Sequence, residues 1–278
     1  QSMRVGITGV PGAGKSTSID AFGMHLIKQG HKLAVLAIDP SSEISKGSIL
    51  GDKTRMERLS REERAFIRPS ASSSSLGGVA RKTRETIILC EAAGFDTVFV
   101  ETVGVGQSET AVHSMVDFFL LIQLAGTGDE LQGIKRGIME MADGIIINKA
   151  DGDNVDKARL AAQHFRNALQ LFPATESGWE PKVMTYSGLM GIGIKEIFDM
   201  IDEYRQTSKE SGYFDYNRRR QEKWWMYETV NEELRRSFYD NEQVKQLQES
   251  IEHEVLENRI TPFVGAGRLL EAFYRSLK

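Results

Sequence analysis

The sequence predicts an α/β fold, with a mostly parallel central sheet flanked by helices and a C-terminal helical extension. Three observations carry this expectation. Short apolar runs rich in β-branched residues alternate with helical patterns along most of the chain, the order that builds a parallel sheet covered by helices. A glycine-rich turn, Gly9 to Gly14, separates the first apolar run from the first helical pattern. Beyond about Gln206 the strand signal stops, and the sequence becomes helical and strongly charged.

Taken in order, the candidate strands are Arg4 to Thr8, Leu33 to Ile38, Thr97 to Val100, Phe118 to Leu124, Gly144 to Ile147 and Lys182 to Tyr186. Helices are expected after Lys15, then over Arg81 to Ala93, Ser108 to Val116, Ile134 to Ala142, Val155 to Leu171 and Ile194 to Arg205. Together these make a doubly wound domain over residues 3–205, with the helical extension over 206–278. In the extension Val244, Leu247, Ile251 and Val255 fall at i, i+3, i+7 and i+11, an apolar stripe that needs a partner surface. No internal repeat is visible, and the serine-rich stretch Ser70 to Ser75 reads as a loop.

A chain of 278 residues has room for one large α/β domain plus an extension. Hydrophobic residues make up 40% and charged residues 27%, a globular composition. No stretch approaches the ~18 apolar residues that span a bilayer. The N-terminus lacks a charged leader followed by an apolar run, and Gln1-Ser2 before Met3 reads as a protease-cleavage scar, so secretion is not expected. Cys90 is the only cysteine, which excludes an internal disulfide and fits a reducing compartment, the cytoplasm or, in a eukaryote, the mitochondrial matrix. A net charge of −4 gives no electrostatic reason to expect nucleic acid.

The strongest chemical signal is Gly9-Val10-Pro11-Gly12-Ala13-Gly14-Lys15-Ser16-Thr17, which matches G-x-x-x-x-G-K-[ST] between a strand and a helix. In such a P-loop the glycines let backbone N–H groups face phosphates at the positive end of the helix. Lys15 then reaches the β- and γ-phosphates and Ser16 ligates magnesium. Asn148-Lys149-Ala150-Asp151 follows the run ending at Ile147 and matches N-K-x-D, the guanine-reading motif of GTPases. The carboxylate of Asp151 can accept both N1–H and N2–H of guanine, and adenine offers no such donor pair. Its place at a strand's carboxyl end puts it where ligands bind in these sheets. Ser187-Gly188-Leu189, after the next strand, sits where a last base-contact loop would be, or forms an ordinary turn. The sequence thus predicts a P-loop GTPase that hydrolyses GTP to GDP and phosphate.

Metal binding and hydrolysis need carboxylates near Lys15. Asp96 begins a strand and Glu101 ends it, and five residues at ~3.3 Å each separate them by roughly 16 Å, so only Glu101 can face the phosphates. Glu101 is read as the acidic switch residue, ligating the metal directly or through water, with Gly104 able to present a backbone N–H to the γ-phosphate. Asp39, before Pro40, is the other well-placed carboxylate and the third expected metal ligand beside Ser16 and Glu101. Asp52 lies in the intervening loop; it joins the metal or water site if that loop folds over nucleotide, and otherwise is a solvated loop charge.

Several motifs carry a family resemblance. Asp39-Pro40-Ser41-Ser42, Leu50-Gly51-Asp52-Lys53-Thr54-Arg55-Met56, Glu101 to Glu109 and Gly128 to Gly137 resemble the GTPase chaperones of methylmalonyl-CoA mutase, over nearly the whole chain. That family, sometimes labelled an arginine/ornithine transport kinase, is similar to the signal-recognition and nickel-insertion GTPases. The resemblance implies a G domain with a C-terminal helical dimerisation arm. It also implies homodimers, an adenosylcobalamin-dependent mutase as partner with an adenosyltransferase beside it, and a role in cofactor loading and mutase protection. Two departures stand out: the helical segment usual before the phosphate loop is absent from this sequence, and Lys46 stands where a small residue is expected in the first switch loop. Ala125 to Arg136 resembles a third switch that relays nucleotide state to the mutase through Lys135; physically it is also an ordinary helix start with acids placed for the dipole.

Rival functions find less support. A nickel-type maturation GTPase shares the nucleotide site but needs soft or imidazole ligands, and here one cysteine and five scattered histidines form no C-x-x-C or His-rich tract. Nucleic-acid binding has only Arg218-Arg219-Arg220 with Lys223, Trp224 and Trp225 to argue for it. A protein kinase lacks its H-R-D and D-F-G motifs. No motif dedicated to cobalamin is visible.

Overall fold

Residues Met3–Gly9 form β1, buried at all seven positions, as a strand covered on both faces of a parallel sheet must be. β2 (Leu33–Ile38) is likewise buried throughout. β3 (Ala65–Arg68), β4 (Thr97–Thr102), β5 (Phe118–Leu124), β6 (Gly144–Asn148) and β7 (Lys182–Thr185) complete the sheet. The structure is a computed structural model that describes residues 2–38, 56–68, 76–102, 108–125 and 136–277. The seven strands lie in the order β3-β2-β4-β1-β5-β6-β7, and every pairing between them is parallel. From β1 the chain winds outward to β2 and β3, returns through β4, then passes β1 to β5 and continues to β6 and β7. Winding therefore reverses beside β1, and the carboxyl ends of β1, β4, β5 and β6 border the crevice where such sheets bind ligands.

The edge strand β3 lies outside the six candidate runs. It is only four residues long, none of them fully buried, and Arg64 and Arg68 flank its short apolar run Ala65-Phe66-Ile67, so its apolar signal is weak. Among the described residues the helices are α1 (Lys15–Lys28), α2 (Leu76–Ala92), α3 (Ser108–His113), α4 (Arg136–Met141), α5 (Val155–Leu169), α6 (Ile194–Glu210), α7 (Tyr213–Tyr239), α8 (Glu242–Leu256) and α9 (Pro262–Ser276). In α5 the buried residues Ala158, Ala161, Ala162 and Phe165 repeat at the 3.6-residue period and face the core cluster of Leu121, Ile145 and Ile147. α2 begins five residues earlier than its apolar pattern predicts, and α6 runs five residues longer.

The chain divides into two compact units, Gln1–Gln221 and Glu222–Lys278. In the first, the start of α7 is tied to the amino edge of the sheet. The Arg218 guanidinium pairs with Asp117 at 2.6 Å and approaches Glu91 at 3.5 Å, while Glu91 also pairs with Arg4 at 2.8 Å. Arg220 pairs with Glu176. Two of the three consecutive arginines are therefore engaged in ion pairs within the chain.

In the second unit Asn241 caps α8 by accepting from the N–H groups of Gln243 and Val244, and Thr261 caps α9 before Pro262 at its first turn. The Val244 stripe finds its partner largely within the chain. A Cβ on Gly265 of α9 would lie 3.0 Å from Val255 and 3.1 Å from Ile251, so the two helices meet backbone to side chain, and Val244 is fully buried. Leu247, 40% exposed, stays outside that contact. No helix among the described residues is long and apolar enough to cross a membrane.

Candidate functional site

The loop from Gly9 to Gly14 leaves β1 and enters α1 at the carboxyl edge of the sheet. Gly9 runs against β5 so closely that a Cβ there would sit 2.2 Å from the Ile122 carbonyl oxygen. Gly14, the residue that caps α1, has φ +83°, a left-handed conformation that L side chains rarely adopt. Val10 is half-buried, Pro11 and Gly12 are exposed, and Ala13 is buried under the turn, where its N–H bonds the Val10 carbonyl at 3.1 Å. Lys15 folds back over the loop, its ammonium donating to the Gly9 carbonyl at 2.9 Å and the Val10 carbonyl at 3.5 Å. Burial holds the Lys15 ammonium below the usual lysine range, and the negative charges of Glu101 and Glu109 oppose that shift. Ser16 is half-buried and Thr17 exposed in the first turn of α1, the end of a helix at which backbone N–H groups lack intrahelical partners and favour anions.

Asn148 ends β6 and joins three segments. Its Nδ2 donates to the Ala13 carbonyl at 2.7 Å, while its Oδ1 accepts from the N–H of Lys149 at 2.7 Å and of Gly188 at 3.1 Å. Lys149 takes φ +60°, unusual for a residue with a side chain, and that side chain is exposed. Asp151, half-buried, accepts a hydrogen bond from the Ser187 hydroxyl, which also accepts from the Met190 N–H at 3.1 Å. Ser187 and Ile192 exchange backbone hydrogen bonds, closing a tight loop that leaves Leu189 82% exposed. The phosphate loop, the N-K-x-D motif and the Ser-Gly-Leu loop are thus assembled at one place.

Glu101 sits one residue before the end of β4, opposite Ile7 of β1 and Ala37 of β2, and is 3% exposed. Beside it the Thr102 hydroxyl donates to the Thr8 hydroxyl at 2.8 Å, pinning the two strand ends beneath the phosphate loop. Asp96 lies at the other end of the strand, where it bonds His31 and the Lys32 N–H. The separation argued from strand geometry therefore places Glu101, not Asp96, on the phosphate-loop side. Asp39, Asp52, Gly104 and Lys135, with most of the proposed third switch, lie outside the described residues. Among those described, no three His, Cys, Asp or Glu residues group so as to hold a metal ion by themselves.

A family model described as methylmalonyl Co-A mutase-associated GTPase MeaB matches residues 1–243. The chain belongs to that family. A probable GTPase of Mycobacterium tuberculosis is 50% identical over 268 residues, covering 96% of this chain and 80% of that protein. The mitochondrial methylmalonic aciduria type A homolog of Mus musculus is 47% identical over 272 residues, covering 98% of this chain and 66% of that one. A crystal structure of an LAO/AO transport system kinase superposes with a TM-score of 0.73 at 40% identity, over 97% of this chain and 81% of that one. This member of the methylmalonyl Co-A mutase-associated family is a GTPase with the P-loop fold.

One charge that acts on Lys15 was not assigned from the sequence. Glu109, buried in α3, contributes to the electrostatic surroundings of Lys15, yet in the sequence it is only the last letter of a longer motif. No spacing rule ties it to the phosphate loop, so its signal lies in the fold alone.

Proposed function

We propose that this GTPase binds GTP and GDP with Mg2+ in the crevice beside β1 and acts as a nucleotide-gated chaperone of methylmalonyl-CoA mutase or a related cobalamin-dependent mutase. In that role it assists adenosylcobalamin loading and protects the mutase, with an adenosyltransferase as a further partner. The observation that carries the nucleotide half is Asn148, whose side chain bonds both Ala13 and Gly188 and so fixes the base loop against the phosphate loop. The mutase half is supported by the description of the matched family and by the name of the mouse relative.

In this reading the backbone N–H groups from Gly12 to Thr17 and the Lys15 ammonium take the phosphates, and the pull of γ-oxygens on Lys15 replaces its bonds to Gly9 and Val10. Asp151 accepts the two guanine donors, while Lys149 and the Ser187-Gly188-Leu189 loop border the base. Ser16 and Glu101 offer a hydroxyl and a carboxylate, hard oxygen donors suited to a Mg2+ that keeps several waters and takes its other ligands from phosphate. The ion supplies charge neutralisation on the transferring phosphoryl group. Asp39 and Asp52 keep the roles the sequence suggests for them, at the metal edge and in the first switch loop.

A homodimer through the C-terminal unit is part of the proposal. Phe263, Leu270 and the C-cap residue Leu277 are 89%, 43% and 67% exposed at seven-residue spacing, with Tyr274, 60% exposed, beside them, an apolar stripe along α9 and its cap suited to a second copy. Light scattering is expected to give twice the chain mass for the wild type and the single-chain mass for a Phe263→Glu, Leu270→Glu variant; an unchanged mass would place the interface elsewhere.

The partner is tested with purified methylmalonyl-CoA mutase immobilised on a resin. The GTPase is expected to be retained to different extents with GDP and with a non-hydrolysable GTP analogue. No retention in either state, by that or any cobalamin-dependent mutase of the host, would contradict the assignment.

A further inference from the structure

Tyr186 follows β7 and holds the base motif from both sides. Its N–H donates to the Ile147 carbonyl at 2.9 Å, just before Asn148, and its own carbonyl accepts from the Ala150 N–H at 3.0 Å, just before Asp151. The side chain crosses to α1. There the ring packs on Phe22 with centroids 5.4 Å apart, and the hydroxyl donates to the Ser18 hydroxyl. Ser18 in turn donates to the carbonyl of Gly14, the capping residue of the phosphate loop, at 2.8 Å. Both side chains are shut off from solvent, at 1% and 0% exposure. Burial raises the Tyr186 hydroxyl to about 12, so it remains a donor throughout the physiological range.

Gly188 adds a second reason to read this pair as more than packing. A Cβ on Gly188 would sit 2.6 Å from the Tyr186 hydroxyl oxygen, so the base loop lies directly on that hydroxyl. A phenylalanine would supply the same ring contact with Phe22, and only the hydroxyl adds the hydrogen bond to Ser18. The base loop thus reaches the phosphate loop by two separate routes, Asn148 to Ala13 and Tyr186 through Ser18 to Gly14.

We propose that Tyr186 and Ser18 are positioning residues forming a relay that fixes the spacing between the base-recognition loop and the phosphate loop, so that a guanine nucleotide meets both in register. The proposal rests on the nucleotide reading of the site. A ligand that spans both loops gains from their being held in place beforehand, whereas one that touches the phosphate loop alone does not.

The test measures GDP, ADP and pyrophosphate affinity for the wild type, Tyr186→Phe, Ser18→Ala and the double variant, alongside thermal melting. Each single variant breaks the Tyr186–Ser18 bond on which the relay depends and is expected to weaken GDP about fivefold, and the double variant by no more than either. Pyrophosphate affinity should stay within about twofold of wild type in all of them, a separation that general damage to the fold would not produce. Unchanged GDP affinity in Tyr186→Phe, multiplicative losses in the double variant, or equal losses for GDP and pyrophosphate would each overturn the relay. A wild type that binds GDP and ADP alike would instead overturn the base-site reading on which it stands.

Discussion

Lys15→Ala is expected to lower GTP turnover by about 10²–10³-fold while the protein remains folded. Among the described residues the Lys15 ammonium folds over the phosphate loop, bonding the Gly9 and Val10 carbonyls while the charges of Glu101 and Glu109 act on it. A group placed there is positioned to meet charge that develops on the γ-phosphoryl oxygens, and a partly desolvated ammonium is worth more in that role than an exposed one. Removing it leaves the backbone N–H groups in place, so nucleotide binding should weaken far less than turnover. Single-turnover phosphate release, compared with circular dichroism of the same sample, checks both halves. Wild-type turnover in the variant, or undiminished wild-type turnover in excess chelator, would remove the proposed phosphate and magnesium site.

Asp151→Asn should exchange one base preference for another. The Asp151 carboxylate already accepts from the Ser187 hydroxyl, which holds it at the mouth of the base loop. Guanine presents two donors on one edge, and asparagine would set an NH2 group against one of them. Leaving that donor unmatched costs roughly 1–3 kcal/mol, about 5–150-fold in GTP affinity. Xanthosine triphosphate has an oxygen where guanine has its amino group, so its affinity relative to GTP should rise in the variant. Competition binding with GTP, ATP and xanthosine triphosphate reads all three. Equal affinity of the wild type for ATP and GTP would contradict the base assignment at its root.

The central strands were legible because burial on both faces of a parallel sheet demands nearly continuous apolar residues, and β2, β5 and β6 meet that demand along most of their length. β3 pairs only along one side, and its short run between arginines carries no comparable signal. Loops of the site could be located from spacing because backbone geometry, not packing, fixes where glycine and the residues after it must stand. Partnerships across the fold could not. Tyr186 and Ser18 are 168 residues apart, and nothing local marks either as the other's partner. Arg218 reads in sequence as one of three surface cations, yet the fold delivers it to Asp117 and Glu91. The Val244 stripe was correctly apolar, but a stripe states only that a partner is needed, and Gly265 of the same chain supplies much of it.

The most direct test of the mutase-coupled reading is a titration of methylmalonyl-CoA mutase into a steady-state GTPase assay. A partner that binds one nucleotide state better than the other must shift that equilibrium, and by linkage the nucleotide must shift the partner's affinity by the same factor. The account predicts a saturable change in GTP turnover as mutase is added, lost in Lys15→Ala. Turnover that stays flat to saturating mutase, with no difference in mutase affinity between the GDP and GTP-analogue states, would contradict it.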